Sequence, residues 1–581
     1  MKTTAPYGSW PSEISTDLMT AGTVGLSEAR LYKGVTYWLE SRPQEQGRTA
    51  IVCNIDNGKK ELTPSKYSCR SSVHEYGGAC YLPTSEGVFF VNHKDQQIYQ
   101  IDQAGSIKKV TIAPDTRFAD LSFSGNTLIA IAERHSKSAD SPENYLASIN
   151  ISSGDVNTLH SGQDFYASPT CSDDGKISWI TWMHPQMPWD GTCLWTAELT
   201  VDGLANNAMV VAGGVDESIV QPQWSHNGQL YFVSDKSDWW NIYRINGTDV
   251  EAVYPMQAEF GLPQWQFGMI RYGFMDNTTI LTSYSENGVE KLATIDASSG
   301  KLAEVDRDHS SYSSLRTEAG SYCYIAQSTT NFPALYVGDL TGEKLVCASS
   351  DSTVDSQNYS IAKPLSFKTG VGSTGKNDTA YGYFYCPESA SYQGPKDELP
   401  PLIVMIHGGP TSSTSDSLSL KIQYWTSRGF AVLDVNYRGS TGFGRKYRNA
   451  LKTQWGIADV EDCDFGVRHL IDSGLIDKDR VAIRGGSAGG FTVLAALAHT
   501  DSFKAGVSLY GVTDLTALAG DTHKFESRYL DSLIGPYPER KDLYIERSPI
   551  SNAGSISSPV LFLQGLDDKV CLLYTSPSPR D

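Results

Sequence analysis

Val481-Ala-Ile-Arg-Gly-Gly-Ser-Ala-Gly-Gly490 decides the fold of this chain. A short apolar run, a G-x-S-x-G and a helical pattern behind it describe a strand that turns sharply into a helix with a serine at the corner. The glycines are required because the corner is strained and tightly packed, so a Cβ at those positions would clash. The turn holds the Ser487 hydroxyl exposed at the top of a sheet and makes it the candidate nucleophile. A nucleophilic serine needs an oxyanion hole, a base and an acid that orients the base.

The oxyanion hole is legible about 80 residues earlier, where the apolar run Leu402–Ile406 enters His407-Gly-Gly-Pro410. A turn of this type after a strand supplies one backbone N–H to the hole, and the residue after the nucleophile supplies the other. The expected donors are the amides of Gly409 (or Gly408) and Ala488, and such dipoles are worth ~2.7–4 kcal/mol each in the transition state. His407 is read as a structural residue of the turn. The acid follows a later strand, in Gln564-Gly-Leu-Asp-Asp-Lys-Val570, where Asp567 or Asp568 could orient a histidine.

Around these motifs the grammar is α/β. Leu402–Ile406, Phe430–Asp434, Val481–Ile483 and Pro559–Leu563 read as buried parallel strands. A helix over Asp459–Asp472 places Val460, Cys463, Val467 and Leu470 on one face and stops at Ser473-Gly474. The Gly/Ser/Thr-rich stretch Lys368–Asn377 reads as a loop. The pattern is a doubly wound sheet of the α/β-hydrolase class.

Before residue 365 the grammar differs. Short alternating strands follow similar turns: Ser124-Gly-Asn126, Ser172-Asp-Asp-Gly175 and Ser225-His-Asn-Gly228 precede Leu128–Ala132, Ile177–Trp182 and Leu230–Ser234. Pro169-Thr-Cys171 is echoed by Pro222-Gln-Trp224 and Pro263-Gln-Trp265. A period of roughly 40–50 residues with several strands per unit predicts a β-propeller, and ~340 residues would hold roughly seven blades.

Composition narrows the function classes. A length of 581 residues exceeds what one hydrophobic core supports, so at least two domains are expected. A net charge of −19 argues against general nucleic-acid or anionic-membrane binding. Ten cysteines without C-x-x-C pairs, no signal-peptide pattern and no membrane-length apolar run favour the cytoplasm. No metal or cofactor is implied, and homo-oligomerisation is compatible with the sequence.

Taken together, His407–Pro410, Asn436-Tyr-Arg-Gly-Ser-Thr-Gly-Phe-Gly444, Trp455-Gly-x-x-Asp459-Val, Gly485–Gly490, Asp521-Thr-His-Lys-Phe-Glu-Ser-Arg-Tyr529 and Gln564–Val570 resemble the prolyl oligopeptidase family of serine peptidases. The branch is the acylaminoacyl-peptidase and dipeptidyl-aminopeptidase one, to which Val73-His-Glu-Tyr-Gly-Gly78 and Met187-Pro-Trp-Asp-Gly-Thr192 are also similar. The resemblance implies an N-terminal segment (1–21) on the hydrolase, a propeller (22–365) and a hydrolase domain (366–570). It implies hydrolysis of short peptides through an acyl-enzyme on Ser487. It also selects Asp568 over Asp567, because the family acid lies three residues after the glycine. Glu75 and Glu259 are read as structural propeller acids in preference to anchors for a free N-terminal amine.

One departure stands out. The triad order on this fold is Ser, Asp, His, yet the last of the eleven histidines is His523 and none follows Asp568. The residues 571–581, Cys-Leu-Leu-Tyr-Thr-Ser-Pro-Ser-Pro-Arg-Asp, look like a translated adapter, so the family's base is expected to be missing and the chain as written to be inactive. His499 and His523 are read as a helix-surface residue and a supporting residue near the site. The rival functions are a non-catalytic propeller-based binding protein with a decayed hydrolase half, and an esterase.

Overall fold

The computed structural model describes residues 2–20, 23–55, 58–139, 141–200, 203–351, 354–371, 377–566 and 568. The chain forms two compact units, one of Gly22–Gln327 with Phe332–Asp351 and the other of Met1–Ala21, Ser328–Asn331 and Ser352–Asp581. Asp567 and the residues 571–581 lie outside the described residues.

In the first unit, seven four-stranded antiparallel sheets follow one another over 25–61, 81–109, 116–160, 165–214, 219–252, 272–304 and 311–348. This is a seven-bladed β-propeller. Each blade is built from four consecutive strands, so the ring closes by packing and not by an exchanged strand. Ala29, Trp38, Ala50 and Val52 of the first blade share a buried cluster with Cys323, Ile325 and Leu335 of the last.

The repeated polar turns are the hairpins that lead into the second strand of three successive blades. Those second strands do not alternate as the sequence suggests: Leu128 through Glu133 are all buried. A blade is covered on both faces by its neighbours, so its middle strands are apolar throughout. Pro169 and Pro222 lie on first strands, Phe165–Cys171 and Ile219–Trp224. Pro263 instead lies in the loop before Tyr272–Phe274.

The second unit is an α/β-hydrolase sheet of seven strands. They are β1 (Lys363–Val371), β2 (Asn377–Tyr385), β3 (Leu402–Ile406), β4 (Ala431–Asn436), β5 (Val481–Gly486), β6 (Ala505–Leu509) and β7 (Val560–Leu563). Their order is β1-β2-β4-β3-β5-β6-β7. The last five are mutually parallel, whereas β1 and β2 form an antiparallel extension at one edge. Of the loop expected over Lys368–Asn377, the two ends are strand, since β1 runs to Val371 and β2 starts at Asn377, and residues 372–376 lie outside the described residues. Ahead of the sheet, Thr3–Thr4 pairs in parallel with Tyr392–Gln393.

Two helices matter for the site. In α1 (Ala458–Asp472), Val460, Cys463, Val467 and Leu470 are buried as their spacing demands, and the chain leaves through Gly474 at φ +66°. The other, α2 (Ala488–His499), is buried along nearly its whole length. The strand β7 departs from expectation: Leu561 and Leu563 are 54% and 47% exposed. No helix among the described residues is long and apolar enough to cross a membrane.

Candidate active site

The strand order creates the crevice. From β3 the chain moves to one side for β4 and then returns to the other side for β5. In a parallel sheet a ligand site opens at such a reversal, beyond the C-terminal ends of the strands. His407–Pro410 leaves β3 and Ser487 leaves β5, so the two motifs stand side by side at that point.

Backbone geometry makes the corner. Ser487 is the N-cap of α2 with φ 55° and ψ −123°, a strained conformation for a residue with a side chain. Its amide donates to the Leu509 carbonyl at 3.0 Å, and its carbonyl accepts from the Phe491 amide at 3.1 Å. The Ser487 amide is therefore used in the sheet. That of Ala488, the first residue of α2, has no intrahelical acceptor.

The close packing explains the glycines. A Cβ on Gly489 would lie 2.5 Å from the Ile406 carbonyl oxygen and 2.8 Å from that of His407. One on Gly408 would lie 3.1 Å from the Gly486 oxygen and 3.5 Å from Ser487 Cβ. The two motifs thus touch at Gly489, where only hydrogen fits, and at Gly408, where a Cβ would crowd the Gly486 oxygen.

The turn after β3 is held from three sides. Tyr529 Oη accepts from the Thr411 amide at 3.1 Å and shares a 2.6 Å hydrogen bond with Thr411 Oγ1. His407 Nε2 lies 2.8 Å from Ser440 Oγ, and its Nδ1 lies 2.8 Å from the Gly408 carbonyl. The ring also stacks on Tyr437 at 4.3 Å between centroids. Desolvation pulls His407 down to about 4, so it is neutral near pH 7 with both ring nitrogens engaged.

Beside Ser487 is a small cavity of about 40 Å³. Its lining includes Gly409 and Ala488 together with Trp455, Val512, Leu518 and Tyr529. Within it the buried Trp455 Nε1 and Thr522 Oγ1 have no hydrogen-bond partner among the described residues. Trp455 is set by Asp459, whose carboxylate accepts from the Gly456 amide at 2.7 Å and from Thr492 Oγ1 at 2.6 Å. Those bonds tie the Trp-Gly loop to the nucleophile helix, and Trp455 packs on Phe491 at 4.4 Å.

The remaining candidates are dispersed. Asp568 follows β7 at the same end of the sheet, one strand beyond β6, and its Oδ2 accepts from Gln564 Nε2 at 3.4 Å. His499 is exposed at the end of α2 and lines a separate cavity with Glu461 and Arg547. His523 Nε2 lies 3.9 Å from the Glu526 carboxylate. In the propeller, Glu75 pairs with Arg117 at 2.8 Å, and Glu259 is 1% exposed and accepts from the Trp240 amide at 2.8 Å.

Sequence reasoning missed the roles of Trp455, Thr522 and Tyr529, although all three stand in the quoted motifs. The signal was a polar or aromatic residue in a loop with no periodic reason to be there.

Comparison with known proteins agrees with this layout. The profile of the prolyl oligopeptidase family matches residues 416–577. The structure of a puromycin-hydrolyzing peptidase of Mycobacterium tuberculosis superposes with a TM-score of 0.92 at 35% identity, covering 99% of this chain and 91% of that one. A puromycin hydrolase superposes with a TM-score of 0.91 at 33% identity, covering 98% and 90%. Dipeptidyl aminopeptidase BIII of Pseudoxanthomonas mexicana is 34% identical over 200 residues. That match spans 33% of this chain and 29% of the relative, so it covers less than a third of that enzyme's length.

Proposed function

The chain belongs to the prolyl oligopeptidase family, and from that premise we propose that it is built for hydrolysis of short peptides by a serine mechanism. Ser487 Oγ attacks the scissile carbonyl carbon while its proton passes to a base. The amides of Gly409 and Ala488 hold the resulting oxyanion, and collapse expels the leaving amine with that proton. Water then hydrolyses the acyl-enzyme. Asp568 is the orienting acid.

One observation carries the reading: the strained Ser487 shares one small cavity with Gly409 and Ala488, the two predicted oxyanion donors. The cavity, whose apolar walls are interrupted by Thr522 and Glu526, admits a small side chain on the residue that supplies the carbonyl. The similarity to peptidases named for puromycin and for dipeptides supports an aminoacyl amide as substrate. An esterase or a binding protein has no comparable observation in its favour.

The Ser487 hydroxyl needs a base to act as a nucleophile, and the oxyanion donors then stabilise the charge that develops. The test is covalent labelling by a fluorophosphonate with peptide mapping. Labelling confined to Ser487 and lost in Ser487→Ala is expected. Labelling elsewhere overturns the assignment.

A further inference from the structure

The propeller has a feature that the hydrolytic reading does not use. At the same place on the first strand of five blades the pairing register slips, between Ser27 and Arg30, Ala119 and Ser122, Ala167 and Thr170, Val220 and Gln223, and Ser313 and Arg316. At each slip one residue takes a positive φ: Glu28, Asp120, Ser168, Gln221 and Ser314, all between 48° and 56°. A bulge of this kind re-aims the side chains around it.

In all five blades the residue two positions later (Arg30, Ser122, Thr170, Gln223 or Arg316) lines one cavity of about 430 Å³. Because the first strands ring the axis, this cavity is the central channel of the propeller. All of its walls belong to the propeller unit.

Two of the five re-aimed residues are arginines, and they stand on the adjoining first and last blades. Among the described residues Arg316 donates only to backbone carbonyls, NH1 to Leu315 at 2.9 Å and NH2 to Gly268 at 3.1 Å. Arg30 lies over the Tyr81 ring at 5.3 Å, and its buried Nε has no hydrogen-bond partner among them. Neither guanidinium forms an ion pair among the described residues. Gln221, 2% exposed and also in the lining, has an Nε2 without a partner.

Two carboxyls stand near the arginines without an ion pair to either among the described residues. Asp120, itself in the lining, accepts from the Ser168 amide at 2.6 Å through Oδ2, and Glu28 Oε2 accepts from the Cys80 amide at 3.2 Å. Burial pushes Glu28 upward and Asp120 up to about 6, while both arginines pull each of them back. Burial and the neighbouring Arg30 draw Arg316 down to about 10. Two guanidiniums that make no direct carboxylate contact among the described residues repel each other in one cavity, an oxyanion between them relieves that repulsion, and the planar fork of each matches an oxyanion.

We propose that the central channel of the propeller holds a small-oxyanion site, taking a carboxylate or phosphate group between Arg30 and Arg316. The cavity has room for a group larger than the oxyanion itself, so the anion can be free or the end of a short peptide. The site is independent of the chemistry at Ser487.

Calorimetric titration of the whole chain at fixed ionic strength tests it, with inorganic phosphate, triglycine and triglycine amide as probes. Saturable binding of one phosphate per chain is expected, weakened at least tenfold in Arg30→Gln and in Arg316→Gln. Triglycine binding in competition with phosphate, with none for the amide, identifies a peptide C-terminus as the source. Phosphate binding alone identifies a free anion. Absence of saturable binding by both anionic probes, or unchanged affinity in both variants, overturns the proposal. Should either glutamine variant fail to fold, Arg30→Lys and Arg316→Lys replace them: each keeps the charge but loses the fork, and undiminished affinity in both overturns it equally.

Discussion

Tyr529 and Thr411 are 118 residues apart in sequence and are joined twice, through the Thr411 amide at 3.1 Å and its hydroxyl at 2.6 Å. The tyrosine thereby clamps the turn that carries Gly409. Tyr529→Phe leaves a buried amide and hydroxyl short of a partner, which costs about 1–3 kcal/mol. The denaturation midpoint is expected to fall accordingly, and fluorophosphonate labelling of Ser487 to slow by about tenfold. An unchanged labelling rate would mean that the turn is held without the tyrosine.

Gly489 is the tightest joint between the two motifs. A methyl there meets two backbone oxygens at 2.5 and 2.8 Å, and neither belongs to a flexible side chain. Gly489→Ala is expected to destabilise the hydrolase unit by about 1–3 kcal/mol and to suppress labelling of Ser487. Calorimetric unfolding together with labelling checks both, and a neutral result would show that α2 can shift away from β3.

These two positions also show what could be read in advance. The glycines and the serine were legible because a strained corner admits few residue types. The propeller was legible from its period, and α1 from the spacing of Val460, Cys463, Val467 and Leu470. Tyr529 was different: its contact partner lies 118 residues away, and no local pattern reports a long-range hydrogen bond. The ends of β1 and β2 were hidden by the Gly/Ser/Thr-rich composition of the sequence around and between them. The blade strands were misread as alternating because burial on both faces removes the alternation.

Asp434, in β4, gives the hydrolase unit a pH dependence. Burial raises its carboxyl from 3.8 to about 7, opposed only by the hydrogen bond it accepts from the Thr414 hydroxyl. Between those values the folded state holds a proton that the unfolded state has lost. Stability therefore falls as pH rises from about 4 to 7, by on the order of 2–4 kcal/mol. Asp434→Asn should flatten that part of the stability–pH curve relative to the parent chain. Parallel curves for the two proteins would mean that the carboxyl is not desolvated.

Leu561 and Leu563 alternate with inward residues on β7 and present their side chains on one face, 54% and 47% exposed. Adjacent exposed leucines on an outer strand favour self-association. Light scattering of the purified chain is expected to rise with concentration and to drop in Leu561→Lys. Identical scattering by the two proteins would remove this face from consideration.

The seating of Ser487 as a nucleophile in a prepared oxyanion hole is tested most directly by hydrolysis of an aminoacyl p-nitroanilide, measured with and without added imidazole as an external base, for the parent chain and Ser487→Ala. The predicted result is a rate in the parent that is absent in Ser487→Ala. Equal rates in the two proteins under both conditions would contradict it.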